Sequence, residues 1–170
     1  MDFKQLLKND FIILDGAMGT MLQAAGLEAG GIPELLNITD PELIENIHKK
    51  YIEAGSDIVY ANTFGANRYK LKNHSVDEII GAGIAIAKRA CNGKALAALD
   101  IGPIGQLLEP TGTLKFEEAY DIFKEQIIAG RDADVIVFET MTDLYELKAA
   151  VLAARENSCL LYTSDAADDK

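Results

Sequence analysis

The chain has 170 residues, of which 49% are hydrophobic and 25% are charged, so its length and composition suit a globular domain with a core. Its formal net charge is −11 without any basic cluster, which argues against nucleic acid or an anionic membrane surface as a partner. The longest apolar run, Ile79–Ala87, is far too short to span a bilayer, and the amino terminus lacks a signal-peptide pattern, so we expect a cytoplasmic protein.

The first part of the chain predicts one strand between two short helices. Residues 2–9 predict a short polar helix or lead-in, and Phe11–Leu14 is an apolar run of strand length. A run without alternation is typical of a strand that is covered on both faces. A second helix is expected over 18–25, and 26–37 predict a loop because this segment holds three glycines and Pro33.

Apolar runs then alternate with amphipathic helices. The capping residue Asp40 and the helix-ending Gly55 predict one helix. A capping box that begins at Ser75 predicts a second helix, and the apolar period over 116–127, closed by Gly130, predicts a third. The apolar runs that separate these helices are Ile58–Ala61, Ala95–Leu99 and Val135–Phe138.

A last helix is expected after the fourth run. Thr142 can cap it. The inner stripe that the helical period predicts consists of Leu144, Leu147, Val151 and Ala154.

The order strand–helix, repeated four times, predicts an α/β fold with a parallel sheet and right-handed crossovers. Two architectures remain open at this point: a doubly wound sheet, and a (β/α)₈ barrel of which four βα units are present. Both place function at the carboxyl ends of the strands, which directs attention to the residues that follow each apolar run.

Two carboxylates stand out at these positions. Asp15 precedes Gly16 and either faces a strand-end cleft or caps the next helix. Glu139 follows the fourth run directly and has no obvious capping role. Because an unpaired buried carboxylate is costly, Glu139 should meet a cation or hydrogen-bond donors, and a bound ammonium group is a natural partner.

The polar residues after the middle two runs are more ambiguous. Asn62 and Thr63 could equally bind the polar atoms of a ligand or tie loops together. Asp100 stands before Gly102 and Pro103, where a role in forming a turn is at least as plausible as binding.

The cysteines and histidines predict no metal site. Cys91 and Cys159 are far apart in sequence and cannot form a disulfide framework or a short-spaced thiolate site. Cys91 is expected to be a half-buried thiol on a helix. His48, on the polar face of its helix, and His74, in a loop, are both expected at the surface.

Six motifs in register, between about residue 10 and residue 157, together resemble the homocysteine S-methyltransferase family. The motifs are Leu14–Thr20, Glu34–Asn37, Tyr51–Ile58, Asn62–Ala66, Asp100–Pro103 and Phe138–Thr140. The resemblance implies a (β/α)₈ TIM barrel, of which this chain would be the N-terminal half. It also implies methyl transfer to the sulfur of homocysteine, which gives methionine.

The resemblance assigns a substrate-binding role to seven residues. Glu139 would face the substrate ammonium, and the backbone N–H groups near Gly16 would face the polar head. Asp100 would organise the loop after the third strand. The seven residues are Asp15, Gly16, Ala17, Asn62, Thr63, Asp100 and Glu139.

The family's chemistry implies zinc, held by three cysteine thiolates, because only the thiolate of the substrate is a good nucleophile. Those cysteines belong to later strands of the family's barrel, so we expect no metal site and no activity from this chain alone. The partners that the resemblance implies are homocysteine, the remaining half-barrel, and the folate and cobalamin domains of a full-length protein. The wording of the motifs favours the cobalamin-dependent branch, with methylcobalamin as methyl donor.

The last twelve residues are expected not to belong to the natural protein. Residues 159–170 do not continue the helical stripe, and 159–169 resemble translated sequencing-adapter read-through. The domain is therefore expected to cover 1–158 and to be followed by a non-native tail at 159–170.

Two other functions compete with the family reading. A non-catalytic binding domain with an open sheet is less favoured because the first and fourth apolar runs would leave aggregation-prone edges. A barrel enzyme acting on a phosphorylated metabolite would place its phosphate site in the last loops of the barrel, which this chain does not contain.

Overall fold

The computed structural model describes residues 3–28 and 30–158, which form one open parallel sheet with helices. The predicted tail at 159–170 lies outside the described residues. The strands are β1 (Ile58–Tyr60), β2 (Leu96–Ile101) and β3 (Val135–Phe138). The helices are α1 (Phe3–Leu6), α2 (Met18–Ala24), α3 (Leu36–Thr39), α4 (Pro41–Glu53), α5 (Arg68–Leu71), α6 (Val76–Cys91), α7 (Phe116–Ala129) and α8 (Leu144–Asn157), with a 3₁₀ helix at Pro33–Leu35.

The sheet is wound in one direction. Its order is β1-β2-β3, and both strand pairs are parallel. Because each strand is added beyond the previous one, right-handed crossovers place all the connecting helices on one face. A doubly wound sheet reverses direction and covers both faces. The observed winding is that of a barrel wall.

The two faces of the sheet pack against different parts of the chain. Outward residues of the strands, such as Val59 and Leu99, belong to a large core shared with α6, α7 and α8. Inward residues, such as Ile58 and Ala98, form a smaller cluster to which α1 contributes Leu6. This alternation follows from the two-residue period of a strand, and it fixes which side chains face the barrel interior.

The first predicted strand is wrong. Over 11–14, the described chain forms a single parallel bridge, between Leu14 and Ile58, rather than a strand. The side chain of Phe11 is 73% exposed and that of Ile13 is 46% exposed, although the apolar run predicts cover on both faces. The physical reason is that α2 packs on α4, through Leu22, and does not cross over this segment.

Most of the predicted helix boundaries are confirmed. The Oδ1 atom of Asp40 accepts a hydrogen bond from the N–H of Leu43 (3.2 Å), and Ser75 caps α6 through the N–H of Glu78 (3.2 Å). Gly55 has a φ of 107°, as its position after α4 requires. The segment 26–37 is not a simple loop, because the 3₁₀ helix and the start of α3 lie within it.

The last helix differs from its prediction in cap and in buried face. Asp143, not Thr142, caps α8 by accepting hydrogen bonds from two backbone N–H groups. Of the predicted inner stripe, Ala154 is buried and Leu147 and Val151 are half-buried, but Leu144 is 63% exposed, so the prediction is wrong at Leu144. The residues that α8 buries are Glu146, Ala149, Ala150, Ala153 and Ala154. Alanines allow close approach to α7, the neighbour with which α8 is most extensively packed.

His48 is buried, not exposed as its sequence context predicts. Its side chain is fully buried in α4, and neither ring nitrogen has a hydrogen-bond partner among the described residues. Burial lowers the pKa of His48 to about 4, an effect that nearby Glu45 partly opposes. His74 is exposed, as predicted.

Replacing His48 by leucine is expected to stabilise the protein most at mildly acidic pH. When the pKa of a histidine is lower in the folded than in the unfolded state, the free energy of unfolding of the protein decreases as the pH falls from about 7 to 4. The reason is that the unfolded chain binds the proton at a higher pH than the folded chain does. We expect His48→Leu to raise the free energy of unfolding by about 1–2 kcal/mol at pH 5, and by less at pH 7. Urea denaturation at both pH values measures this; the exposed-site control is His74→Asn. Equal effects of His48→Leu at the two pH values would contradict the prediction.

None of the helices in the described ranges is long and apolar enough to cross a membrane.

Candidate functional site

A cleft of about 310 Å³ opens at the carboxyl end of the sheet. All seven residues that the sequence singled out line it, so the structure brings the whole predicted set together. The lining residues are Asp15, Gly16, Ala17, Met18, Tyr60, Ala61, Asn62, Thr63, Phe64, Asp100 and Glu139.

Strand period explains why three of the polar side chains converge. Ile58, Ala98 and Val137 belong to the inner cluster of the sheet. Tyr60, Asp100 and Glu139 each follow one of these residues by two positions. Their side chains therefore face the same side of the sheet as the inner cluster. The N–H of Glu139 donates to the carbonyl of Ile101 (3.1 Å), so the ladder continues past the end of β3 and holds this carboxylate in register.

Asp15 belongs to the cleft and does not cap α2. Its Oδ2 accepts a hydrogen bond from the N–H of Tyr60 (3.0 Å), and α2 has no side-chain cap. Burial raises the pKa of Asp15 to about 7, although the hydrogen bond from the Tyr60 backbone lowers it and Glu139 raises it further. The alternative role as a helix cap is therefore wrong.

Asp100 is a strand residue with an unsatisfied carboxylate. It is 6% exposed, and its Oδ1 has no hydrogen-bond partner in the described parts of the chain. Burial raises the pKa of Asp100 to about 8, with further contributions from Glu139, Asp15 and Glu34. All the charged neighbours that act on Asp100 are negative, so they favour the protonated form of its carboxyl group near neutral pH.

The loop after β2 is organised by other side chains, contrary to the expectation for Asp100. Glu146 of α8 accepts a hydrogen bond from the N–H of Ile104 (2.7 Å). Lys70 donates to the carbonyl of Pro103 (2.7 Å), and Asn67 donates to the carbonyl of Ile104 (3.3 Å). Asp100 is thereby left free of a turn-forming role.

Asn62 ties loops together through its side-chain amide. Its Nδ2 donates to the carbonyl of Pro33 (2.8 Å) and to Oδ1 of Asn37 (3.0 Å). In return, Nδ2 of Asn37 donates to the carbonyls of Asn62 (2.8 Å) and Ile79 (3.1 Å). Of the two roles left open for Asn62, the observed contacts are those of the loop-tying one.

Thr63 joins β1 to β2. Its hydroxyl donates to the carbonyl of Asp100 (2.8 Å), and the same oxygen lies 3.2 Å from the N–H of Asp100, from which it accepts. Because this hydroxyl is used within the scaffold, Thr63 holds the backbone of Asp100 in place and presents little polar surface of its own to the cleft.

Sequence reasoning did not single out four of the lining residues, Met18, Tyr60, Ala61 and Phe64, or the buried Glu34 behind them. Glu34 is buried and accepts a hydrogen bond from the N–H of Gly65 (2.6 Å), and Tyr60 and Phe64 line the cleft. The strand period counted from Ile58 could have found Tyr60. Glu34 lies in the short 3₁₀ helix and Phe64 in a loop, and in neither place does a sequence period predict the direction of the side chain.

The described residues contain no group of three or more His, Cys, Asp or Glu side chains that could hold a metal ion. Cys91 is 3% exposed on α6, which is more buried than predicted, and it does not line the cleft. Burial raises the pKa of Cys91 to about 11, which keeps the thiol protonated. A zinc ion held by thiolates therefore does not fit the side chains of this part of the chain.

The family model described as homocysteine S-methyltransferase matches residues 12–169. The methionine synthases of Mycobacterium tuberculosis and Mycobacterium leprae are similar to this chain over 91% of its length, with sequence identities of 37% and 36%. The chain spans 14% of the length of each of these two proteins. Among solved structures, the homocysteine methyltransferase MmuM from Escherichia coli is similar in its metallated form, with a TM-score of 0.78 and 22% identity over 90% of this chain. Its oxidised form gives a TM-score of 0.77.

The structural likeness shows the fold. This chain covers 62% of the metallated MmuM chain and 60% of the oxidised one, so it has the fold of part of these TIM-barrel proteins. The singly wound sheet and the two-faced packing agree with that assignment, and the doubly wound alternative is wrong. Because the family model matches nearly the whole chain, the chain belongs to the homocysteine S-methyltransferase family.

Proposed function

We propose that this chain forms the amino-acid side of the substrate pocket of a homocysteine S-methyltransferase. The reaction transfers a methyl group to the sulfur of homocysteine and gives methionine. The observation that carries the proposal is the meeting of Asp15, Asp100 and Glu139 in one cleft. The charged neighbours that raise the pKa of Asp15 and of Asp100 are all carboxylates, so the cleft is suited to a cationic group such as the substrate ammonium.

In this proposal, the ammonium group lies among the three carboxylates. Glu139 and Asp15 accept its hydrogen bonds, and Asp100 releases its proton as the cation approaches, because an opposite charge favours the ionised form. The substrate carboxylate then faces the exposed turn at Gly16 and Ala17, whose backbone N–H groups are hydrogen-bond donors for an anion.

The turn that holds those donors is fixed by Tyr51. The Tyr51 hydroxyl donates to the carbonyl of Ala17 (3.3 Å). A Cβ atom added at Gly16 would lie 2.9 Å from Cε1 and from the hydroxyl of Tyr51, so any other residue here would displace the Tyr51 ring. The turn is therefore positioned before any substrate binds, which favours binding because less ordering is needed.

The zinc ion and the methyl donor are proposed to bind elsewhere in the complete protein. Zinc would supply activation of the substrate thiol, and the donor would be methylcobalamin. The described side chains offer no ligand set for zinc. This chain spans 14% of the methionine synthases that it matches, so the remaining half of the barrel and any folate or cobalamin domains stay proposals, as does a cytoplasmic location.

Homocysteine binding to the 170-residue chain tests the proposal. We expect isothermal titration with reduced L-homocysteine to show binding, and Glu139→Gln to weaken it at least about tenfold, because a charge-assisted hydrogen bond contributes about 1.5–3 kcal/mol. Glu117→Gln, at an exposed position of α7, is the matched control and should bind like the parent. A folded chain that binds no homocysteine, or binds it equally well without Glu139, would refute the proposal.

A further inference from the structure

The cleft has an apolar wall in addition to its carboxylates. Phe64, in the loop after β1, is half-buried and lines the cleft, as does Met18 at the start of α2. Met18 belongs to a residue type that readily changes its rotamer. The Phe64 ring, in contrast, is held by several neighbours at once.

Gly102 supports the Phe64 ring from the loop after β2. The N–H of Gly102 donates to the carbonyl of Phe64 (2.9 Å). A Cβ atom added at Gly102 would lie 2.4, 2.6 and 2.7 Å from three carbons of the ring. The ring therefore packs directly on the glycine backbone, and any other residue at position 102 would displace it.

Lys70 fixes the ring from α5. Its Nζ lies 5.3 Å from the centre of the Phe64 ring, a cation–π distance. The same Nζ donates to the carbonyl of Pro103 (2.7 Å), which anchors the ammonium group independently of the ring. Lys70 and Gly102 therefore hold the ring to the same loop.

The backbone on both sides of Phe64 is also fixed. Thr63 is hydrogen-bonded to the backbone of Asp100, and Gly65 donates its N–H to the buried carboxylate of Glu34 (2.6 Å). A side chain at position 65 would meet Glu34, since an added Cβ would lie 2.7 Å from its Oε1. Phe64 is thus a preorganised surface rather than an adaptable one.

We propose that Phe64 selects the side chain of the bound amino acid, and that it favours an unbranched chain ending in sulfur over one ending in a hydroxyl. The inference rests on the proposed function, which places the amino-acid head at the carboxylates. The amide of Asn62 and the hydroxyl of Thr63 are used within the scaffold, so a substrate hydroxyl would lose water without gaining those partners. A sulfur atom against an aromatic ring gains about 0.3–1.5 kcal/mol.

Titration of L-homocysteine and L-homoserine in the presence of EDTA tests the selection, because the chelator removes metal ions that would bind a thiol. We expect the parent chain to prefer homocysteine. In Phe64→Leu, the ratio of the two affinities should fall about 2- to 10-fold, as expected for loss of a sulfur–aromatic contact. Gly102→Ala, which displaces the ring without removing it, should lower the same ratio. Phe116→Leu, outside the cleft, is the matched control and should leave the ratio unchanged.

The outcomes separate the two proposals. If the folded parent binds neither ligand, the proposed function fails. If the parent binds homocysteine and Phe64→Leu keeps the parental ratio, or weakens both ligands equally, the function stands and the selecting role of Phe64 is overturned. If Gly102→Ala does not fold, Phe64→Leu alone decides.

Discussion

Alanine at Gly83 is expected to lower the free energy of unfolding by about 2 kcal/mol, a cost typical of overpacking, whereas alanine at Gly81 should raise it by about 0.5–1 kcal/mol. Both glycines lie in α6. An added Cβ at Gly81 meets nothing within 4 Å, but one at Gly83 would lie 2.7 Å from Nδ2 of Asn37 and 3.0 Å from Cγ2 of Thr63. The helix gains from alanine at one position, and the site scaffold is disrupted at the other.

The cost at Gly83 arises because Asn37 cannot move aside freely. Its side-chain amide makes three hydrogen bonds, to the carbonyls of Asn62 and Ile79 and to the amide of Asn62. Moving it would leave buried polar groups unpaired. Urea denaturation of the two alanine variants gives the sign directly.

A double-mutant cycle tests the cause of the Gly83 effect. In an Asn37→Ser background, the smaller side chain removes the collision with Asn37 and leaves the one with Thr63, so Gly83→Ala should cost less than it does in the parent chain. The prediction fails if Gly83→Ala is as stable as Gly81→Ala, or if its cost is the same with serine at position 37.

The meeting of the carboxylates in one cleft could be predicted from the sequence because it depends on where the strands end. In a parallel sheet the carboxyl ends of the strands meet at one edge, so topology brings Asp100 and Glu139 together. Asp15 joins them through the parallel bridge between Leu14 and Ile58, although 11–14 do not form a strand. Their positions after apolar runs contain that information. The contacts of Asn62 were undecidable from sequence, because its partners Pro33 and Asn37 lie in a segment whose path no local signal predicts.

Burial was predicted less well because it depends on which elements cover a face. The stripe of α4 places His48 next to its apolar residues, but α4 is covered both by α2, through Leu22, and by α6, through Ile86. Two neighbours bury a wider face than one stripe predicts, and His48 lies within it. Conversely, Phe11 has the sequence of a buried strand residue but is exposed, because helix α2 turns away from it.

In the parent chain, we expect the free energy of unfolding to decrease as the pH rises. In Asp100→Asn, we expect this decrease to be much smaller. The pKa of Asp100 is raised from 3.8 to about 8, and that of Asp15 from 3.8 to about 7. Between pH 4 and 8 the folded chain therefore holds protons that the unfolded chain has released, so the free energy of unfolding falls as the pH increases. Asparagine stays neutral over this range and imitates the protonated acid.

We expect Asp100→Asn to stabilise the chain at pH 8 by on the order of 2 kcal/mol more than at pH 5. Asp132→Asn, at an exposed position, is the control and should have the same small effect at both pH values. Denaturant titration of the three proteins at pH 5 and 8 measures the difference; a parent whose stability rises over this range would contradict it.

The same linkage predicts how a ligand should act on stability. An ammonium group in the cleft would meet the ionised form of Asp100 and offset its unfavourable burial, so reduced homocysteine should raise the melting temperature of the parent more at pH 8 than at pH 5. Asp100→Asn should lose part of this pH dependence, because Asp100 then releases no proton on binding and only Asp15, whose pKa is raised to about 7, still does. If homocysteine raises the melting temperature of the parent equally at both pH values, the carboxylate of Asp100 does not contact the ammonium group. The unpartnered Oδ1 of Asp100 would then have to meet another group in the cleft.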